Sequence, residues 1–198
     1  MGLELEYGHG QTPINEEEKE GLLLKHISTQ EELNEAEQLN IEEAIEWTLS
    51  NRFNAKEILS EAFVRELHKR MYRHVWQWAG AFRHSDKSIG VDWKQVPVKL
   101  RGLVDDCLFW VDNQSFPEDE IAVTFKHRIV SIHCFPNGNG RHSRLMADVI
   151  RSHVFREPPF TWGGRDLTGK GPNRTEYISA LKEADRGSMV KLLEFAKG

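Results

Sequence analysis

Few cysteines and no long hydrophobic run are present in this sequence. Cys107 and Cys134 are the only cysteines, and neither belongs to a Cys-x-x-Cys pair typical of zinc sites and redox motifs. The apolar stretches are far shorter than the roughly 20 residues of a membrane span, and the N-terminus lacks the basic and apolar regions of a signal peptide. We therefore expect reduced thiols, no membrane partner and a cytoplasmic location.

An excess of positive charge is also absent. The 26 Lys and Arg residues are outnumbered by 31 Asp and Glu residues, which gives a net charge of -5. Wide contact with a phosphate backbone needs the opposite balance, so no DNA partner is expected. With 39% hydrophobic and 29% charged residues in 198, the composition predicts one soluble globular domain with a sizeable core.

Helical periodicity dominates what is present. Residues 1–27 are polar, and we interpret them as an N-terminal arm packed on a domain of residues 28–198. Ser28 and Glu31 have the spacing of a capping box, and the following residues contain neither Gly nor Pro. A helix over residues 28–51 is therefore predicted.

Apolar residues recur at helical spacing in later segments, and each stripe predicts a buried helix face. The stripes consist of Phe63, Leu67, Met71 and Val75; of Val98, Val104, Leu108 and Val111; of Ile121, Phe125, Ile129 and Ile132; and of Leu145, Val149 and Phe155. Two further helices are expected at 177–184 and 189–195. In 81–96 the period changes, and Ile89 and Val91 alternate around Gly90, which predicts a short β-hairpin. The fold class predicted is all-α with one hairpin.

The segment 133–144, which joins two predicted helices, carries the chemistry. Gly138 and Gly140 permit positive φ angles and a close approach of ligand to backbone amides. The following helix adds its N-terminal amides, and Arg141 and Arg144 share one side of its first turn. Together these features predict a cradle for a polyphosphate.

His133 stands at the entrance of this cradle. Imidazole has an unperturbed pKa of about 6.5, which suits a general base near neutral pH. If a hydroxyl approaches a phosphorus atom bound in the cradle, His133 can remove its proton during in-line displacement. Phe135 is expected to point into the core and hold the loop.

Other phosphate-binding and metal-binding motifs fit less well. No Gly-Lys-Ser/Thr follows the glycines, as a Walker loop requires, and no strand precedes them, as a Rossmann fingerprint requires. His127, His133 and His142 lack the i, i+4 spacing of a helical zinc pair. We therefore expect no zinc site.

The residues His133, Phe135, Gly138, Asn139, Gly140, Arg141 and Arg144 match a known pattern. The segment resembles the Fic signature, His-x-Phe-x-(Asp or Glu)-Gly-Asn-Gly-Arg-x-x-Arg, which joins two helices. Nearly the whole chain is similar to the Fic subgroup called mobile mystery protein B. The resemblance implies a helical bundle that transfers AMP from ATP to a protein hydroxyl, with His133 as the base and residues 137–141 and Arg144 on the nucleotide.

Two positions depart from the family pattern. Cys134 replaces the usual proline, and Asn137 replaces the acidic residue that helps to hold nucleotide-bound Mg²⁺ in the family. Asn137 leaves only a neutral carbonyl oxygen for that ion. The resemblance thus implies ATP and Mg²⁺, with Asn137 as a weakened metal ligand.

The resemblance also implies how a target protein binds. Lys87, Ile89 and Gly90 lie where the family has a flap, which pairs with an extended target segment bearing a Ser, Thr or Tyr hydroxyl. The sequence leaves open whether the chain also forms a homodimer.

Some Fic proteins carry an inhibitory helix whose glutamate reaches the second signature arginine. Here the helix over 28–51 offers Glu32, which follows Ser28 at the right spacing but precedes Leu33 instead of Gly or Asn. Glu37 is the second candidate, by its position along the helix. Either would face Arg144 and block a γ-phosphate site.

Two alternatives to AMP transfer remain at this point. The first is an enzyme of the same fold that transfers another phosphate-containing group. The second is a protein-binding module that keeps the fold and has lost catalysis, with Asn137 and Cys134 as the signs of decay.

Overall fold

The computed structural model describes residues 12–164 and 172–198. In chain order, the α-helices of these residues are α1 (Glu16–Glu20), α2 (Gln30–Ser50), α3 (Ala55–Ile58), α4 (Glu61–Tyr72), α5 (Val96–Asn113), α6 (Glu118–Ile132), α7 (Asn139–Val149), α8 (Pro172–Ala184) and α9 (Val190–Lys197). Short 3-10 turns occur at Trp93–Gln95 and Trp162–Gly164, and α7 continues into a π-helical turn at Ile150–Val154. The predicted helical class is confirmed.

The described part of the chain contains almost no extended structure. Within residues 12–164 and 172–198 no strand forms, and an isolated antiparallel bridge joins Leu22 to Trp76. None of the helices described is long and apolar enough to cross a membrane.

The start of α2 lies one residue later than predicted. Thr29, not Ser28, is the N-cap: its hydroxyl accepts from the Glu32 amide at 3.2 Å, and the Glu32 carboxylate accepts from the Thr29 amide at 3.1 Å. The capping box is therefore Thr29–Glu32, and it satisfies two amides that the helix itself leaves unpaired.

Most of the predicted apolar stripes form the core. Every member of the stripes that begin at Phe63 and Ile121 is buried. The prediction for Val98 is wrong, because α5 turns other residues inward and leaves Val98 70% exposed. The inward residues of α5 are Val96, Leu100, Leu103, Val104 and Cys107.

The hairpin predicted at 81–96 is not seen. Residues 81–92 form an irregular loop, which we call the flap. Its carbonyls at Ser85 and Val91 accept from the guanidinium of Arg83. A buried side chain thus satisfies backbone groups that a hairpin would pair across strands.

The start of the described chain lies across the flap. Thr12 and Ile14 are buried, and the Lys87 ammonium donates to the Pro13 carbonyl at 3.2 Å and pairs with Glu18. Residues 12–18 are called the arm segment below. The division of the chain at 27 and 28 stays a prediction.

Candidate active site

Helix α6 ends in an unusual backbone conformation at His133. Its φ of 58° and ψ of 64° are left-handed, which is uncommon for a residue with a side chain. This conformation stops the helix and starts the loop 133–138, and α7 begins directly afterwards at Asn139. The sequence predicted this arrangement of a loop between two core helices.

Asn139 braces the loop from inside. Its side-chain carbonyl accepts from the Phe135 amide at 3.0 Å, and its side-chain amide donates to the Phe135 carbonyl at 2.8 Å. Asn139 is 5% exposed, so its side chain serves the loop rather than a ligand. Its predicted role on the nucleotide can therefore only come from its backbone.

The two loop glycines have different roles. Gly138 has a φ of 76°, and a Cβ there would lie 2.5 Å from Cζ of Tyr72. Gly140 has no positive φ, contrary to expectation, and a Cβ there would meet nothing within 4 Å. The fold therefore requires glycine at 138, whereas at 140 the missing side chain only keeps the pocket wall open.

His68 supports the loop from beneath, a role that the sequence did not indicate. The Gly80 amide donates to Nδ1 of His68 at 3.0 Å, so Nε2 carries the hydrogen and donates to the Asn137 carbonyl at 3.0 Å. The ring stacks on Phe135 at 3.7 Å between centroids. Burial lowers the pKa of His68 well below its usual value, which keeps the ring in this neutral form.

A cavity of about 220 Å³ opens over the loop. It brings together most of the predicted site residues with residues of α2, α8 and the arm segment. Its lining includes Thr12, Ile14, Glu37, Ile89, His133, Asn137, Gly138, Asn139, Gly140, Arg141, Arg144, Arg174 and Tyr177. Of these residues, the sequence did not indicate Thr12, Ile14, Arg174 and Tyr177, because nothing in the periodicity places them beside residue 133.

The His133 ring is buried yet has no hydrogen-bond partner among the described residues. The residue is 4% exposed, and both ring nitrogens are unpaired. Burial lowers the pKa of His133 to about 4; the nearby cations Arg83 and Lys87 act in the same direction, and the backbone of Val130 acts against them. A neutral imidazole with free nitrogens on a pocket wall is able to accept a proton from a ligand.

Glu37 and Arg141 form an ion pair inside the cavity. One Glu37 oxygen accepts from Nη2 of Arg141 at 2.6 Å, and the other accepts from the indole nitrogen of Trp76 at 2.6 Å. Burial disfavours the charge on Arg141, but Glu37 outweighs it and raises the pKa of this guanidinium. The expected contact of a glutamate with Arg144 is therefore wrong: the partner is the first signature arginine.

Glu32, the other predicted inhibitory residue, lies outside the cavity. Its carboxylate accepts from the amides of Ser28 and Thr29 at 2.9 and 3.1 Å. These hydrogen bonds lower the pKa of Glu32. Glu32 is thus the capping residue of α2 and does not approach the signature arginines.

The predicted flap residues are divided. Ile89 lines the cavity, and Gly90 packs so closely on His133 that a Cβ at 90 would lie 2.7 Å from the Cβ of His133. Lys87 does not line the cavity, since it holds the arm segment through Pro13 and Glu18. Its predicted contact with a target would require that segment to move.

The donor set does not fit a magnesium ion held by the protein. The side-chain oxygen of Asn137 already accepts from the Gly138 amide at 2.5 Å. The carboxylate in the lining, Glu37, is paired with Arg141 and Trp76. No group of three or more His, Cys, Asp or Glu residues suited to a metal occurs in the part of the chain that the structure describes. Mg²⁺ needs several hard oxygen ligands, and both the carboxylate of this cavity and the Asn137 oxygen at the signature position are already in use.

Comparison with known proteins gives a consistent family. Residues 58–150 match the model of the Fic/DOC family. The chain is 23% identical over 161 residues to a protein adenylyltransferase Fic from Aedes aegypti. This alignment covers 79% of the chain and 31% of that protein. It is 26% identical over 155 residues to a probable protein adenylyltransferase from Aquifex aeolicus, covering 72% of this chain and 42% of that protein. The chain therefore spans less than half the length of these relatives.

A solved structure supports the fold. The effector BepC from Bartonella tribocorum, solved with bound AMPPNP, superposes with a TM-score of 0.66 at 15% identity and covers 92% of this chain and 97% of its own. The more specific resemblance to mobile mystery protein B stays a prediction. The family match includes the two helices that flank the loop, and the fold agrees with it: residues 58–150 carry a Fic/DOC family domain.

Proposed function

We propose that this chain transfers AMP from ATP to a hydroxyl group of a target protein. The observation that carries the proposal is the His133 ring, whose two nitrogens are unpaired on the wall of a cavity that also holds Gly138, Gly140, Arg141 and Arg144. The adenylyltransferase names of the relatives support the choice of AMP.

The reaction follows from this arrangement. The target hydroxyl oxygen attacks the α-phosphorus, and its proton passes to a free nitrogen of His133. The bond between the α-phosphorus and the bridging oxygen breaks, and pyrophosphate leaves. Backbone amides at the start of α7 and the side chains of Arg141 and Arg144 stabilise the phosphate charges.

The test is transfer of labelled AMP by His133→Ala. We expect the transfer from α-labelled ATP to disappear while the melting temperature stays within a few degrees of the wild type. The control is His26→Ala, which removes an exposed histidine far from His133 in the sequence and should keep full transfer. Undiminished transfer by His133→Ala would contradict the assignment, and label arriving only from γ-labelled ATP would indicate another transferred group.

The pair between Glu37 and Arg141 adds regulation to this function, and we infer that it holds the nucleotide site closed. It occupies an arginine that would otherwise bind phosphate, and Glu37 adds negative charge where a polyphosphate has to lie. The cavity of about 220 Å³ is also smaller than the roughly 300–1,000 Å³ of pockets that hold drug-sized ligands. Movement of Glu37 away from Arg141 would free the arginine for phosphate and enlarge the cavity.

A further inference from the structure

Arg83 is the most completely enclosed charged side chain near the candidate base. Its side chain has no exposed surface, and its guanidinium lies 3.6 Å from the exposed carboxylate of Asp86. A buried charge costs much free energy unless it is paired and hydrogen-bonded. Its hydrogen bonds therefore explain why the sequence tolerates it.

The guanidinium of Arg83 donates to backbone carbonyls on two sides. On one side it donates to the carbonyls of His133 at 2.6 Å and Ile132 at 3.4 Å. On the other side it donates to two carbonyls of its own segment, the flap: that of Ser85 at 2.8 Å and that of Val91. The planar fork of arginine matches this division, whereas the single ammonium of lysine does not.

Both carbonyls on the first side belong to the end of α6. A helix leaves its last four carbonyls without partners, and a cation there also interacts favourably with the helix dipole. The contact of Arg83 with the carbonyls of Ile132 and His133 is therefore strong, and the backbone of these two residues sets the direction of the His133 ring. It also holds His133 in the left-handed conformation that an ordinary residue avoids.

Gly90 makes this contact possible. A Cβ at position 90 would lie 2.9 Å from Nη2 of Arg83 and 2.7 Å from the Cβ of His133. The φ of 110° at Gly90 is likewise outside the range of most other residues. A side chain at position 90 would therefore collide with both Arg83 and His133.

We propose that Arg83 is a positioning residue for His133: it fixes the carbonyl of the base and of the residue before it, so that the imidazole faces the cavity. The ring nitrogens have no hydrogen-bond partner within 3.5 Å among the described residues. The amides of Val91 and Arg83 also donate to the carbonyls of Ile132 and Cys134, so the side chain of Arg83 adds to a backbone contact between the same segments. The effect on catalysis rests on the function proposed above, and the geometric effect on the ring does not.

A simpler role for Arg83 would be to hold the flap in place. Arg65 offers a matched comparison, because its Nε donates to the Gly80 carbonyl at 3.0 Å and its guanidinium stacks on Phe82 at 5.0 Å. Arg65 thus also anchors the flap region through a backbone carbonyl, but it does not touch residues 132 or 133. Arg83→Gln and Arg65→Gln remove the same kind of side chain from these two places.

The experiment compares kcat, KM for ATP and the dissociation constant for ATP in both variants. A displacement of about 1 Å at a reacting group costs about 100-fold in rate, so we expect kcat of Arg83→Gln to fall by about that factor. Its dissociation constant for ATP should stay within about threefold of the wild type, because the loop amides and signature arginines remain. Arg65→Gln should keep kcat within about threefold. An equal loss of kcat in the two variants, or a loss of ATP affinity as large as the loss of kcat, would overturn the proposal.

Two further variants protect the test against unfolding. Gly90→Ala presses on the same contact from the flap side and should reproduce the selective loss of kcat. Arg83→Lys keeps the charge but not the planar fork, so its kcat should stay well below that of the wild type. Normal kcat in Gly90→Ala, or full recovery of kcat in Arg83→Lys, would count against the proposal.

A readout that needs no activity separates this proposal from the proposed function. The ¹⁵N ring signals and the ¹³C carbonyl signal of His133 should shift in Arg83→Gln and stay unchanged in Arg65→Gln. If the wild type transfers nothing and these signals still respond, AMP transfer is wrong and the positioning role stands. If the wild type is active and the signals do not respond, the positioning role is wrong.

Discussion

In residues 133–140, some residues fix the backbone conformation and another is available for proton transfer. Gly138 is fixed by packing against Tyr72, whereas Gly140 faces open space. His68 and Asn139 hold the loop with their side chains, and His133 is left with both ring nitrogens free. The residues that shape the loop are therefore distinct from the one that can exchange a proton.

This division predicts opposite outcomes for two similar substitutions. Gly138→Ala introduces a Cβ into Tyr72 at a left-handed position, and we expect a loss of about 2–4 kcal/mol in unfolding free energy. Gly140→Ala should leave that free energy nearly unchanged and weaken ATP binding, because the new methyl group stands on the cavity wall. Urea unfolding and equilibrium titration with ATP measure the two effects, and equal stability losses in both variants would contradict the assignment.

Substitution of Glu37 is expected to lower stability and to tighten ATP binding. In Glu37→Gln the bond from Trp76 can persist, but the charge opposite Arg141 is lost, so the melting temperature without ligand should fall. The freed Arg141 can instead bind phosphate, and a charge-assisted hydrogen bond of about 1.5–3 kcal/mol corresponds to at least about tenfold tighter ATP binding. Calorimetric titration checks this, with Glu35→Gln on the exposed side of α2 as the control. Unchanged ATP affinity in Glu37→Gln would remove the inhibitory role.

At the scale of elements, the sequence predicted helices better than it predicted their mutual contacts. The buried stripes of α4 and α6 and the loop between α6 and α7 follow from local spacing. The flap does not, because its carbonyls are satisfied by the side chain of Arg83, a residue of the flap itself, and the alternation at Ile89 and Val91 gives no sign of this. The choice of Arg141 over Arg144 likewise depends on how α2 lies against α4, beside Trp76.

The N-terminus of α2 gives a prediction at this scale. Thr29→Ala removes the cap hydroxyl and should cost about 1 kcal/mol of unfolding free energy. Glu32→Ala should also lower the melting temperature, whereas Glu35→Ala in the middle of the helix should not. ATP binding should be the same in all three variants. Tighter ATP binding by Glu32→Ala would restore its inhibitory role.

At the scale of the whole molecule, buried histidines link folding to pH. Burial lowers the pKa of His133 and His142 to about 4 and that of His68 well below 6.5. The unfolded chain therefore binds more protons than the folded chain between about pH 6.5 and 4, and stability falls as the pH falls through this window. Asp148 opposes this trend, because burial raises its pKa to about 7 and the folded state then holds an extra proton.

The balance is a net uptake of about two protons on unfolding. Unfolding free energy should thus drop by at most roughly 3 kcal/mol per pH unit below pH 6.5. Denaturant titrations at pH 7, 6 and 5 measure the slope, and Asp148→Asn should make it steeper. A flat profile over this range would show that the buried histidines do not control acid stability.

The arm segment bears on how any visiting chain could dock. The ammonium of Lys87 already holds Pro13 and Glu18, and the amide of Asn137 donates to the Thr12 carbonyl at 3.3 Å. If a target peptide binds at Lys87, as the family resemblance implies, it would have to displace the bonds from Lys87 to Pro13 and Glu18. The affinity for such a peptide would then equal the difference between its own interactions and those of the arm segment. The arm segment would thus act as an intramolecular competitor of the target.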